Sequence, residues 1–104
     1  MKTLAVFPGS FDPFTLGHLD VLRRACGLFD EVRVCVLENP DKRTVFGLWE
    51  REEMIRRVIE DEGLTNAGAD SSAGLTAQYA GSVGATHIVR GLRNAADYAY
   101  EAEM

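Results

Sequence analysis

The chain has 104 residues, enough for one domain, and 46% of them are hydrophobic against 26% charged, a composition that excludes disorder of the whole. Its formal net charge is -5, which argues against non-specific nucleic-acid binding, since that rests on neutralising phosphates. No run approaches the roughly 18 apolar residues of a membrane helix, and no signal-peptide layout opens the chain.

In chain order, residues 3–7 form a short apolar run ending at Pro8-Gly9, which predicts a buried strand and a turn. Residues 17–29 carry Leu19, Leu22, Cys26 and Phe29 at helical spacing. Val32, Val34 and Val36 then alternate with Arg33 and Cys35, a second strand closed by Leu37. Residues 39–47 read as a polar loop. A second helix is expected over residues 48–62, with Leu48, Ile55, Val58 and Ile59 inward and Gly63 as its stop. Residues 65–74 occupy the place of a third strand but have little to bury. Residues 75–83 read as a helix stopped by Gly84, residues 86–89 as a strand, and from Asn94 the chain reads as helical to its end.

Strands alternating with helices predict an α/β fold: a parallel sheet with helices on both faces. There is no internal repeat or linker, so residues 1–104 form one domain. Cys26 and Cys35 lie in a helical and a strand pattern without a Cys-x-x-Cys pair or a zinc cluster, and buried free thiols in a reducing cytosol are expected. His87 is expected to pack as a strand residue.

Ligands of such sheets bind beyond the carboxyl ends of the strands. After the first strand comes Pro8-Gly9-Ser10-Phe11-Asp12-Pro13-Phe14-Thr15-Leu16-Gly17-His18. Gly9 and Gly17 let backbone approach a ligand closely. Gly17-His18 opens a helix whose N–H groups favour an anion, and His18 is either a surface residue or a donor to a phosphate oxygen. The glycine spacing is not the dinucleotide fingerprint. Asn39-Pro40-Asp41-Lys42-Arg43 follows the second strand and Arg90-Gly91-Leu92-Arg93 the last. The expected rim of His18, Lys42, Arg90 and Arg93 on an acidic chain reads as a site for a phosphate-bearing substrate.

Gly9-Ser10-Phe11-Asp12-Pro13 with Thr15-Leu16-Gly17-His18 resembles the first signature of the nucleotidylyltransferase superfamily, in its T-x-G-H form. Lys42, Phe46, Glu50-Arg51, the Arg90-Gly91-Leu92-Arg93 run and Asp97-Tyr98-Ala99-Tyr100-Glu101 extend the resemblance to the bacterial phosphopantetheine adenylyltransferase family over nearly the whole chain. Ser10 stands where many members carry threonine. The resemblance implies a Rossmann-like fold, ATP and 4′-phosphopantetheine as substrates, dephospho-coenzyme A and pyrophosphate as products, Mg2+ as cofactor, and a cytoplasmic homo-oligomer, typically a hexamer. Nucleic acid and membrane are not among the implied partners.

Position by position, the resemblance implies that His18 stabilises the transition state at the α-phosphate. Ser10, Lys42, Thr76 and Arg90 would hold the acceptor. Ser10, Phe11, His18, Gly91, Leu92, Arg93 and Glu101 would contact ATP, and no protein ligand to a metal is implied. The family's second signature, an Ile-Ser-Ser turn at the ATP phosphates, does not occur here. The chain is therefore expected to be the N-terminal portion of the domain, truncated and of uncertain activity. A related cytidylyltransferase-type enzyme and a non-catalytic phosphate-ligand binder are the alternatives.

Overall fold

The computed structural model describes residues 2–38, 43–91 and 98–102. The elements run β1 (Leu4–Gly9), α1 (Leu16–Leu28), β2 (Glu31–Leu37), α2 (Leu48–Asp61), β3 (Ala67–Ser72), α3 (Thr76–Val83), β4 (His87–Gly91) and β5 (Tyr98–Ala102). They build one five-stranded sheet in the order β3-β2-β1-β4-β5. β1 to β4 are parallel and β5 is antiparallel to β4.

The side-chain alternation of the strands divides the core in two. Ala5, Phe7, Val32, Val34, Val36 and Val89 face α1 and α2, which contribute Val21, Leu22, Ala25 and Ile55. Val6, Cys35 and Ile88 face α3, which contributes Tyr79 and Ala80. Leu22, Ile55 and the β2 valines are fully buried, and each such side chain stabilises the fold by about 1.5–3 kcal/mol. Helices therefore cover both faces, and they change face where the chain reverses direction from β3 back past β1 to β4. Right-handed crossovers demand that change. Gly63 and Gly84, at φ 65° and 74°, end α2 and α3 as expected; left-handed backbone favours glycine.

β3, read weakly in the sequence, is a full strand in register with β2. Ala67 and Ala69 pack toward the larger cluster, and alanine gives little hydrophobic signal. On the opposite face Asp70 accepts a hydrogen bond from the Tyr79 hydroxyl at 2.9 Å and from Ser71 N–H at 2.8 Å. A tertiary partner thus permits an aspartate in the strand. Tyr79→Phe is expected to lower stability by about 1 kcal/mol, which thermal denaturation would register as a melt roughly 4–8 °C lower.

The expected helix from Asn94 onward is corrected. Residues 98–102 form β5, paired with β4 from Gly91↔Tyr98 to His87↔Ala102. Tyrosines at alternate positions favour strand, and β4 offered an unpaired edge. The start of that expected helix lies outside the described residues.

Cys26 and Cys35 are both free, half-buried and buried respectively. Burial, with the charges of Asp70 and Glu52, pushes the Cys35 thiol up to about 11, so it is inert as a nucleophile. His87 packs in β4 against Phe29, ring centroids 4.9 Å apart. Among the described residues no helix is long and apolar enough to cross a membrane.

Candidate active site

β1 and β4 are neighbours in the sheet, yet the chain leaves their carboxyl ends in different directions. That is the switch point of an open α/β sheet, where a crevice opens. A cleft of about 390 Å³ lies there, lined by residues 7–11 together with His18, Leu37, Thr76 and Arg90.

The turn after β1 shapes the cleft. Phe11 has φ 47° and is only 4% exposed. A buried aromatic residue in left-handed backbone is sustained by its surroundings. Its ring packs on Phe7 at 5.1 Å, on Phe14 at 5.3 Å and edge-on to His18 at 5.0 Å. The Phe11 ring folds back over Gly9 so closely that a Cβ there would lie 2.9 Å from Cζ.

Thr15 caps α1 and fixes the histidine. The Thr15 N–H donates to His18 Nδ1 at 2.9 Å, and the His18 N–H donates to Thr15 Oγ1 at 3.3 Å. This is a capping box with histidine in the usual Glu/Gln place. An Nδ1 that accepts a hydrogen bond assigns the neutral proton to Nε2, which leaves an N–H donor for a ligand. Burial against the rings of Phe7, Phe11 and Phe14 lowers the imidazole pKa below its ordinary 6.5, because desolvation disfavours the cation. The unfolded chain therefore takes up the proton first. Stability linked to His18 is full above about pH 6.5 and falls as pH drops from there through the folded pKa. A histidine-proton NMR titration is expected to place the His18 midpoint below 6.5.

The structure brings Ser10, Phe11, His18, Thr76 and Arg90 to one cleft, and Gly91 ends β4 beside them. For Glu101 the register sets the backbone opposite Ile88, and its side chain lies outside what is described. Lys42, Leu92 and Arg93 lie outside the described residues. Two residues that brace the turn beside the cleft were not singled out for a role. Asp12 accepts from Val45 N–H at 2.6 Å and Phe46 N–H at 2.8 Å. Arg51 is buried and donates to backbone carbonyls around the turn. Its signal was present: Arg51, Ile55 and Ile59 fall on one helical stripe, so a charge stood in a core-facing position.

No group of three or more His, Cys, Asp or Glu side chains among the described residues could hold a metal ion. The cleft supplies hydrogen-bond donors and a cation, a donor set suited to phosphate and unsuited to caging Mg2+.

A family model for cytidylyltransferase-like proteins matches residues 6–104. The chain belongs to that family. Phosphopantetheine adenylyltransferase of Clavibacter michiganensis subsp. michiganensis is 50% identical over 106 residues, covering 100% of this chain and 65% of its own length. Its counterpart in Leifsonia xyli subsp. xyli is 47% identical over 105 residues, covering 100% of this chain and 66% of its own. The chain thus spans just under two thirds of these relatives. In fold, it resembles a bifunctional NMN adenylyltransferase/ADP ribose pyrophosphatase from Francisella tularensis, with TM-score 0.59 and 24% identity over 80% of this chain and 25% of that one. The family membership and the doubly covered, Rossmann-like sheet agree with the expected fold class.

Proposed function

We propose that this chain carries the cleft of a phosphopantetheine adenylyltransferase, which moves AMP from ATP to 4′-phosphopantetheine. The observation that supports this reading best is the switch-point cleft, which His18, Ser10 and Arg90 line together. In the proposed reaction a phosphate oxygen of the acceptor attacks the α-phosphorus. The bond from that phosphorus to the bridging oxygen breaks, and pyrophosphate leaves. The acceptor is already ionised, so neither a general base nor a covalent nucleophile is needed, only alignment and charge stabilisation.

His18 then donates Nε2–H to a non-bridging α-phosphate oxygen as negative charge builds there. Ser10, Lys42, Thr76 and Arg90 hold the acceptor, while Phe11 and Gly91, with Leu92, Arg93 and Glu101, serve ATP. Mg2+, carried in on the triphosphate, would neutralise phosphate charge. A cytoplasmic homo-oligomer, a hexamer in the family the sequence resembles, completes the proposal. The family description favours one second reading, a cytidylyltransferase acting on another phosphate-bearing acceptor.

Calorimetric titration of the chain with 4′-phosphopantetheine, ATP and CTP separates these readings. Saturable binding of 4′-phosphopantetheine is expected, weakened about tenfold or more in Arg90→Ala, since hydrogen bonds to charged groups contribute about 1.5–3 kcal/mol. Preference for CTP over ATP would move the assignment to the second reading. Tight acceptor binding with no pyrophosphate release on adding ATP would mark a non-catalytic binder.

A further inference from the structure

Arg51 is the one buried charged residue among those described, 3% exposed. It sits in the first turn of α2, where a cation opposes the helix dipole. The ion pairs among the described residues do not include it. Its guanidinium instead donates to three backbone carbonyls: Nη1 to Ser10 at 2.8 Å and Leu37 at 3.4 Å, and Nε to Phe46 at 3.0 Å. Those carbonyls belong to the turn after β1, the end of β2 and the lead-in to α2. Asp12 closes the circuit from the other side through the N–H groups of Val45 and Phe46. A burial that served stability alone would be met as well by an apolar side chain. The planar fork of arginine, by contrast, can hold several carbonyls at set angles.

We propose that Arg51 is a positioning residue of the cleft: by gripping the Ser10 carbonyl it sets the Phe11 turn, and through the Phe11 ring it sets His18. The link to His18 is geometric, because Phe11 follows Ser10 directly and packs edge-on to the imidazole at 5.0 Å. The ligand arm of the test rests on the adenylyltransferase reading; the spectroscopic arm does not.

Isotope-labelled chain, Arg51→Lys and Asp12→Asn are compared by thermal melt, amide shifts, His18 titration and calorimetry with ATP. Arg51→Lys keeps the charge but loses the fork. It is expected to melt cooperatively, with amide changes centred on residues 9–12, 37–38 and 45–47. The His18 midpoint is expected to move up as the aromatic cage loosens. The charged groups of the turn and strand beside His18, Asp12 and Arg90, are untouched by that change. Asp12→Asn should shift the midpoint the same way, although losing a negative charge by itself lowers a nearby imidazole.

Where the parent binds ATP, Arg51→Lys should weaken it about tenfold. A parent that binds neither 4′-phosphopantetheine nor ATP would sink the adenylyltransferase reading and leave the role of Arg51 to be decided by the amide and His18 signals. If Arg51→Lys loses its melt, Asp12→Asn decides on those same two signals. A folded Arg51→Lys with parental shifts at residues 9–12 and a parental His18 midpoint overturns the proposal. So does loss of cooperative folding in both variants, which would make Arg51 a stability residue.

Discussion

Replacing His18 with alanine is expected, on the proposed adenylyl-transfer reading, to lower the rate of AMP transfer by roughly 10²–10³-fold, the usual effect of removing one preorganised donor to a developing oxyanion. The loss should fall on kcat more than on KM, because the α-phosphate gains charge only in the transition state. Stability should change by about 1 kcal/mol or less, since only half of the capping box is lost and Thr15 remains to cap α1. The aromatic surroundings add a consequence for pH. A histidine whose pKa is lowered by burial, and whose Nδ1 already accepts from Thr15, would act in the proposed transfer as a neutral donor. The rate should therefore hold as pH rises through 6.5, the ordinary value, where a mechanism needing imidazolium would decline. Pyrophosphate release measured from pH 6 to 8 tests both points in one series. Undiminished turnover in His18→Ala would remove His18 from the chemistry.

The parts of the fold that were legible in the sequence are those with strong periodicity. The valine alternation in β2 and the Leu19/Leu22 stripe of α1 are each buried in the structure. Once three βα alternations and the strand after them are placed, handedness and the switch-point rule locate the cleft before any side chain is seen. The weakly read β3 and the misread β5 share a cause, in that a pairing partner elsewhere in the chain decided the local structure. β3 forms because β2 offers an edge and Tyr79 meets Asp70. β5 forms because β4 offers the other edge, which decides a run where alanines and glutamates favour helix and alternate tyrosines favour strand.

The same distinction runs through the site. His18, Ser10 and Arg90 stood out because their residue types suit phosphate and each lies at or beyond the carboxyl end of a strand. Arg51 and Asp12 act on backbone groups 41 and 33 positions away, and no local pattern announces such bonds. Only a charge standing where the helical stripe required an apolar residue marked Arg51 in advance. The residues that hold a site are thus harder to read than those that touch its ligand. Their partners are main-chain atoms, which carry no residue identity.

Gly9→Ala is expected to be the most damaging single-methyl change at the cleft. The added Cβ would lie 2.9, 3.0 and 3.2 Å from three atoms of the Phe11 ring, closer than packed carbons tolerate. A flexible ring could swing away, but this one is held by Phe7, Phe14 and His18 on its other sides and by a backbone already at φ 47°. Overpacking of this kind costs about 1–3 kcal/mol, and for a domain of this size each kcal/mol lowers the melt by roughly 4–8 °C. The ring can relieve the clash only by moving against His18, so ligand affinity should fall together with stability. Gly17→Ala supplies the contrast. Its Cβ would meet only Thr15 Oγ1, at 3.6 Å, and alanine is favoured over glycine in a helix by about 0.5–1 kcal/mol, so the protein itself should tolerate it. Paired melts and ATP titrations of the two variants separate a glycine required by the fold from one that leaves room for the ligand. Equal tolerance at both positions would show that Phe11 is free to move, and the packing path from the turn to His18 would fall with it.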